Sequence, residues 1–154
     1  MSVSVPSTSS PSRYVRHRIA VPVYGVVSAG TPSGPSGFDR TDRLYLPIPR
    51  ELDRPGLEIY QVTGHSMDDG TERGIRDGEY VLVDRHDLFT RYDKVYAWID
   101  PWNELIAKRL GLYHGRRALL SNNRDYDPIT NIRDYRMLGR IYAVYTDDTH
   151  LRRV

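Results

Sequence analysis

Apolar residues along this chain come in short runs, alternating with period two or wholly apolar, and turn residues cut them apart. The runs are IAVPVYGVVSAG (19–30), RLYLPI (43–48), LEIYQVT (57–63), EYVLVDR (79–85), KVYAWID (94–100), ELIAKRL (104–110), RRALLS (116–121) and RMLGRIYAVY (136–145). They are rich in β-branched and aromatic residues, and each is the length of a strand. No segment keeps apolar residues at i, i+3, i+4 and i+7 for long, so helix is confined to short turns. The pattern predicts a mostly β, compact single domain of short, curved antiparallel sheets, with about six to nine strands. The proline inside IAVPV suits an edge strand or an extended arm, and PRELDRPG (49–56) is a turn. Residues 1–13, rich in Ser, Pro and Thr, read as a disordered tail, and TPSGPSGFD (31–39) as a flexible loop. Three parts follow: a tail (1–13), an arm with its loop (14–42) and a folded domain (43–154). No internal repeat is visible.

Composition narrows the function. A length of 154 residues suits one domain with a real core. The absence of cysteine excludes a disulfide framework, a thiolate zinc site and a Cys nucleophile. No apolar run reaches membrane-spanning length, and MSVSVPSTSS lacks the basic start and apolar stretch of a secretory signal, so a cytoplasmic protein without a membrane partner is expected. The net charge of +2 comes from 22 basic and 20 acidic residues scattered along the chain. The one local excess, RYVRHR (13–18), reads as a solvated segment. A helix-turn-helix needs about three helices, which the polar residues before Tyr14 cannot supply. The chain is therefore expected to hold no DNA-reading module of its own.

Of the 22 basic residues only two are lysines, Lys94 and Lys108. Arginine stays charged, whereas a desolvated lysine can become a neutral base. Lys94, beside Asp93 at the start of its run, reads as surface charge. Lys108 shares a face with Ile106 and Leu110, a face that would ordinarily be apolar. Such a lysine can accept the proton of a serine hydroxyl and activate it for attack on a carbonyl. Ser66, in VTGHSMDDG (62–70) at the end of the LEIYQVT run, is the serine nominated. Taken alone, Ser beside Gly and Asp is ordinary turn chemistry. His65 is the neighbouring alternative base, but adjacent residues of an extended chain point to opposite faces. His86 and His114 lie in turn-like contexts, and His17 and His150 lie near the ends. No His or carboxylate pair has metal-ligand spacing, DRHD (84–87) reads as a turn, and neither a metal nor a cofactor is expected.

Four blocks in order, VTGHSMDDG, GIRDGEYVLVDR, IAKRL and SNNRDYDPI, resemble the catalytic domain of the LexA/UmuD superfamily of self-cleaving serine peptidases. The likeness extends over residues 14–144. It departs from the family pattern in an apparent insertion at Thr71, Glu72 and Arg73, in Glu79 where Asp is usual, and in Ala107 where Val is usual. The resemblance implies a Ser66 nucleophile with neutral Lys108 as its general base. The backbone N–H groups of His65 and Ser66 would serve as oxyanion donors. It also implies a cleavage site in the arm at Ala29-Gly30, where a small side chain and a bendable glycine suit a tight site. Further implications are a homodimer, promotion of cleavage by an activated recombinase filament on single-stranded DNA, and a DNA-damage (SOS-like) response. The protein would be a repressor catalytic domain whose DNA-binding domain is separate, or a UmuD-like accessory of a translesion polymerase. A non-catalytic dimerisation or interaction module that retains the fold is the alternative, and a signal peptidase is disfavoured by the missing membrane anchor.

Overall fold

The computed structural model describes residues 19–28, 45–147 and 150–154. Their strands are β1 (Ile19–Ser28), β2 (Tyr45–Ile48), β3 (Leu57–Thr63), β4 (Tyr80–Asp84), β5 (Val95–Ile99), β6 (Leu105–Tyr113), β7 (Arg116–Leu120), β8 (Arg136–Tyr145) and β9 (Leu151–Arg153). The one helical element among them is a 3-10 turn, Arg50–Leu52, inside the expected PRELDRPG turn. The chain is thus mostly β, as its periodicity predicts.

The strands run in the order β2-β1-β3-β4-β8-β5-β6-β7, with β9 paired to β8. All pairings are antiparallel except those of β1 to β3 and to β6, which are parallel. This refines the all-antiparallel expectation, because pairing direction is set by the path of the arm and leaves no mark on the apolar pattern. Ile19 to Pro22 pair with β2, and the rest of β1 pairs with β3. Pro22 therefore stands where β1 leaves one partner for the other, with a single neighbouring strand, the setting in which a missing N–H is tolerated. At its end, Ser28 is in register with both Thr63 of β3 and Ile106 of β6. That pairing closes a circuit through β1, β3, β4, β8, β5 and β6.

Closure gives the central strands two covered faces, which is why runs such as VYAW read as continuously apolar. On one face of β5 and β6, Val95, Ala97 and Ala107 join Val62, Met67, Ile75 and Val81. On the other, Tyr96, Trp98, Ile106 and Leu110 pack with Leu119. A third cluster beneath β2 holds Leu46, Ile48, Leu57, Ile59 and Tyr145. A register shift between Leu82 and Val83 lets Tyr142 bulge from β8, so that Ile141 and Val144 both reach the first cluster.

Candidate active site

Strand β3 delivers the chain to Gly64, whose φ of 92° is a conformation L side chains rarely adopt and glycine adopts freely. There the chain turns, and the turn is pinned from the GIRDG segment. Asp77 Oδ1 accepts the Gly64 N–H at 2.8 Å, Ile75 N–H donates to the Met67 carbonyl at 2.8 Å, and Gly78 N–H donates to the Val62 carbonyl at 2.8 Å. Met67 and Ile75, both fully buried, anchor the two segments in the core. Ser66, between them, has no exposed surface. No hydrogen bond among the described residues takes up the backbone N–H of His65 or Ser66.

Strand β6 delivers the lysine. Ile106, Lys108 and Leu110 are all buried on one face, as the alternation predicts, and Lys108 is 4% exposed. Its Nζ lies 2.7 Å from Ser66 Oγ and 2.8 Å from Ser121 Oγ. The Tyr126 ring centroid is 5.7 Å from the same nitrogen. No carboxylate lies within ion-pair distance among the described residues. With hydroxyls and no carboxylate as its polar partners among the described residues, the ammonium is only partly compensated for lost water, and burial lowers the Lys108 pKa from 10.5 to about 8. An amine of that pKa is neutral in an appreciable fraction of molecules near neutrality, and neutral it can take the proton of the serine it touches.

The other candidates fall elsewhere. Lys94 is exposed ahead of β5. The imidazoles of His65, His86, His114 and His150 are exposed, and none hydrogen-bonds Ser66. DRHD is the last residue of β4 and the turn that follows, with Asp84 paired to Arg54 and Asp87 to Arg91. The described residues hold no group of three or more His, Asp or Glu placed to bind a metal. Ala29 and Gly30 lie outside the described residues, as do His17 and the tail.

Residue-by-residue reading of the sequence missed the turn after β7. Ser121 contacts the lysine, while Asn123 donates its backbone N–H to the Ser66 carbonyl at 2.8 Å and its Nδ2 to the His65 carbonyl at 3.2 Å. The available signal was a run of small polar residues, SNN, directly after the apolar stretch RRALL. It also missed a second support. Arg152 of β9 makes a two-pronged ion pair with buried Glu79, with Nη2 to Oε1 at 2.7 Å and Nη1 to Oε2 at 2.8 Å. The same arginine donates to the carbonyls of Glu72 and Gly74, so it braces the loop that contains the apparent insertion.

Residues 22–142 match the family described as Peptidase S24-like. The chain is 32% identical over 127 residues to the LexA repressor of Clostridium perfringens strain SM101, covering 82% of this chain and 59% of that protein. It is 34% identical over 125 residues to the LexA repressor of Mycobacterium leprae strain Br4923, covering 80% and 49%. To the LexA repressor of Streptomyces coelicolor it is 35% identical over 125 residues, covering 80% and 50%. The chain thus spans about half the length of the curated relatives it matches. The match runs from the middle of β1 to the bulge of β8 and takes in both Ser66 and Lys108, and on it this chain belongs to the Peptidase S24-like family.

Proposed function

We propose that this domain is a serine peptidase of the LexA type that cuts its own chain between Ala29 and Gly30. Ser66 is the nucleophile and Lys108 its general base. The observation that carries the reading is a buried lysine amine 2.7 Å from a fully buried serine hydroxyl, without a carboxylate among the described residues to hold it charged. Neutral Nζ takes the Ser66 proton as Oγ attacks the Ala29 carbonyl carbon. The resulting ammonium returns that proton to the departing Gly30 amine, and water then releases the acyl group from the serine. The N–H groups of His65 and Ser66, without an acceptor among the described residues, serve as oxyanion donors.

The path of the arm supports an intramolecular substrate. Ser28, the residue before Ala29, is in register with Thr63, three residues before Ser66, and with Ile106, two residues before Lys108. A segment tethered so close meets the site at high effective concentration. As in the LexA-type proteins that the sequence resembles, the domain acts in a DNA-damage response as a homodimer. A recombinase filament on single-stranded DNA promotes the cut, in a repressor or in a UmuD-like polymerase accessory.

Mass spectrometry of purified protein after incubation tests the reading. It predicts fragments ending at Ala29 and beginning at Gly30, and none from Ser66→Ala. Cuts confined to other bonds, or undiminished cutting by Ser66→Ala, contradict it.

A further inference from the structure

Ser66 and Lys108 are 42 residues apart in the chain, and one short turn touches both. In the register of β6 with β7, Arg109 faces Leu120, so the residue after β7 arrives beside Lys108. That residue is Ser121, whose Oγ accepts from Lys108 Nζ at 2.8 Å. Two residues on, Asn123 binds the carbonyls of Ser66 and His65. Its own geometry is fixed locally, since Asn123 Oδ1 accepts the Asp125 N–H at 3.0 Å and its carbonyl accepts the Tyr126 N–H at 3.2 Å. We propose that the Ser121–Asn123 turn is the positioning element of the pair: Ser121 orients the Lys108 amine toward Ser66, and Asn123 holds the Ser66 turn toward the lysine. The proposal rests on the peptidase reading and adds two residues to it.

A lysine side chain has four rotatable bonds, and one hydroxyl partner leaves its amine free to turn. Neutral Nζ has two N–H bonds and one lone pair, and catalysis needs the lone pair aimed at the Ser66 O–H. Ser121 Oγ occupies an N–H and leaves the lone pair for Ser66. The same oxygen also accepts from the ammonium, and a hydrogen bond from a charged donor is the stronger one. Ser121 therefore holds the lysine pKa up against burial, and its removal lowers that pKa further. If Ser121 merely filled space, its removal would admit water and raise the pKa toward the free value of about 10.4.

Other charged and titratable groups nearby have partners of their own. Arg109 is engaged with Asn122 and the Asp93 carbonyl, Asp69 with Thr71, and Asp68 with the Gly70 N–H. Across β5, Tyr96 donates its hydroxyl to the Phe89 carbonyl. Tyr126 presents its ring.

With only two lysines in the chain, labelling lysine Cε with carbon-13 gives one exposed reference, Lys94, and one reporter, Lys108. The titration is run on the full chain bearing Ser66→Ala, which needs no cleavage. Ser121→Ala should move the Lys108 midpoint to lower pH by half a unit or more, leave Lys94 unmoved, and be reversed by Ser121→Thr. In the Ser66-intact chain, Ser121→Ala should cut the plateau cleavage rate about tenfold and shift its midpoint in the same direction. Asn123→Asp, which keeps the Oδ1 acceptor and loses the Nδ2 donor, should slow cleavage without moving the Lys108 midpoint. An unchanged or raised midpoint in Ser121→Ala overturns the proposal, as does full activity of both variants. Should the midpoint fall as expected while the parent chain cleaves at no pH, the peptidase reading fails by itself.

Discussion

A half-buried arginine and a buried lysine flank the serine turn, and they are treated oppositely. Arg152, on the β9 side, meets both oxygens of Glu79, whose carboxylate also accepts the Arg76 N–H and the Thr146 hydroxyl. Burial pushes the Glu79 carboxyl up, but these hydrogen bonds outweigh it and hold its pKa below the ordinary 4.5. The bond to Glu79 in turn holds Arg152 above its ordinary value. On the β6 side, Lys108 receives hydroxyls in place of a carboxylate, and burial alone brings it down to about 8. One site fixes a charge permanently to brace a loop, and the other leaves a charge without a counter-charge among the described residues, so that it can be lost. The two residue types match these tasks, since a guanidinium cannot be deprotonated at accessible pH and an amine can.

The largest effect that tests this contrast comes from making the second cation like the first. Lys108→Arg should abolish self-cleavage at every pH at which the protein stays folded, a loss of at least about a thousandfold, as expected when a catalytic base is removed. Lys94→Arg should cleave at the parent rate, and mass spectrometry of both variants decides the matter. Breaking the first cation's pair comes next. Glu79→Gln strands the Arg152 charge beside a buried amide and should cost about 2–4 kcal/mol of stability, read from the denaturant midpoint at pH 7. A loss below about 0.5 kcal/mol would mean that the brace is not structural.

The smallest expected effect is a gain. A lysine pKa held at about 8 against 10.5 corresponds to roughly 3 kcal/mol of strain on the folded state when the amine is charged. Below pH 8 the folded and unfolded states both carry the proton, and that strain is present in full. Between pH 8 and 10.5 the unfolded state binds more protons than the folded state, so stability rises with pH. Lys108→Met should accordingly stabilise the fold by about 2 kcal/mol at pH 6–7, with the advantage shrinking toward pH 10. Denaturant curves across this range would contradict the account if the variant were less stable than the parent at pH 6.

The strands were legible because each is a local pattern. LEIYQVT is β3 residue for residue, and KVYAWID and RMLGRIYAVY contain β5 and β8. Lys108 was legible for a related reason: a cation at an apolar register position is a local anomaly, and both its neighbours on that face prove buried. What escaped was non-local. LRR has no alternating apolar residues, and it becomes β9 only because β8 offers an edge to pair with. The ion pair between Glu79 and Arg152 spans 73 residues, and in the sequence Glu79 is marked only as a departure from a motif. Ser121 sits in a polar turn, where nothing in the local pattern separates a lysine's partner from a solvated hydroxyl.

The central claim is that cleavage waits on the neutral form of one buried lysine. It is tested most directly by the rate of self-cleavage of the parent protein, followed from pH 6 to pH 10 at fixed ionic strength over the range in which it stays folded. The account predicts a rate that rises with pH and levels off, with a midpoint near 8 that coincides with the directly titrated Lys108 amine. A rate that is flat across this range, or that falls from neutral to alkaline pH, would contradict it and return a histidine, His65 first, as the base to be tested.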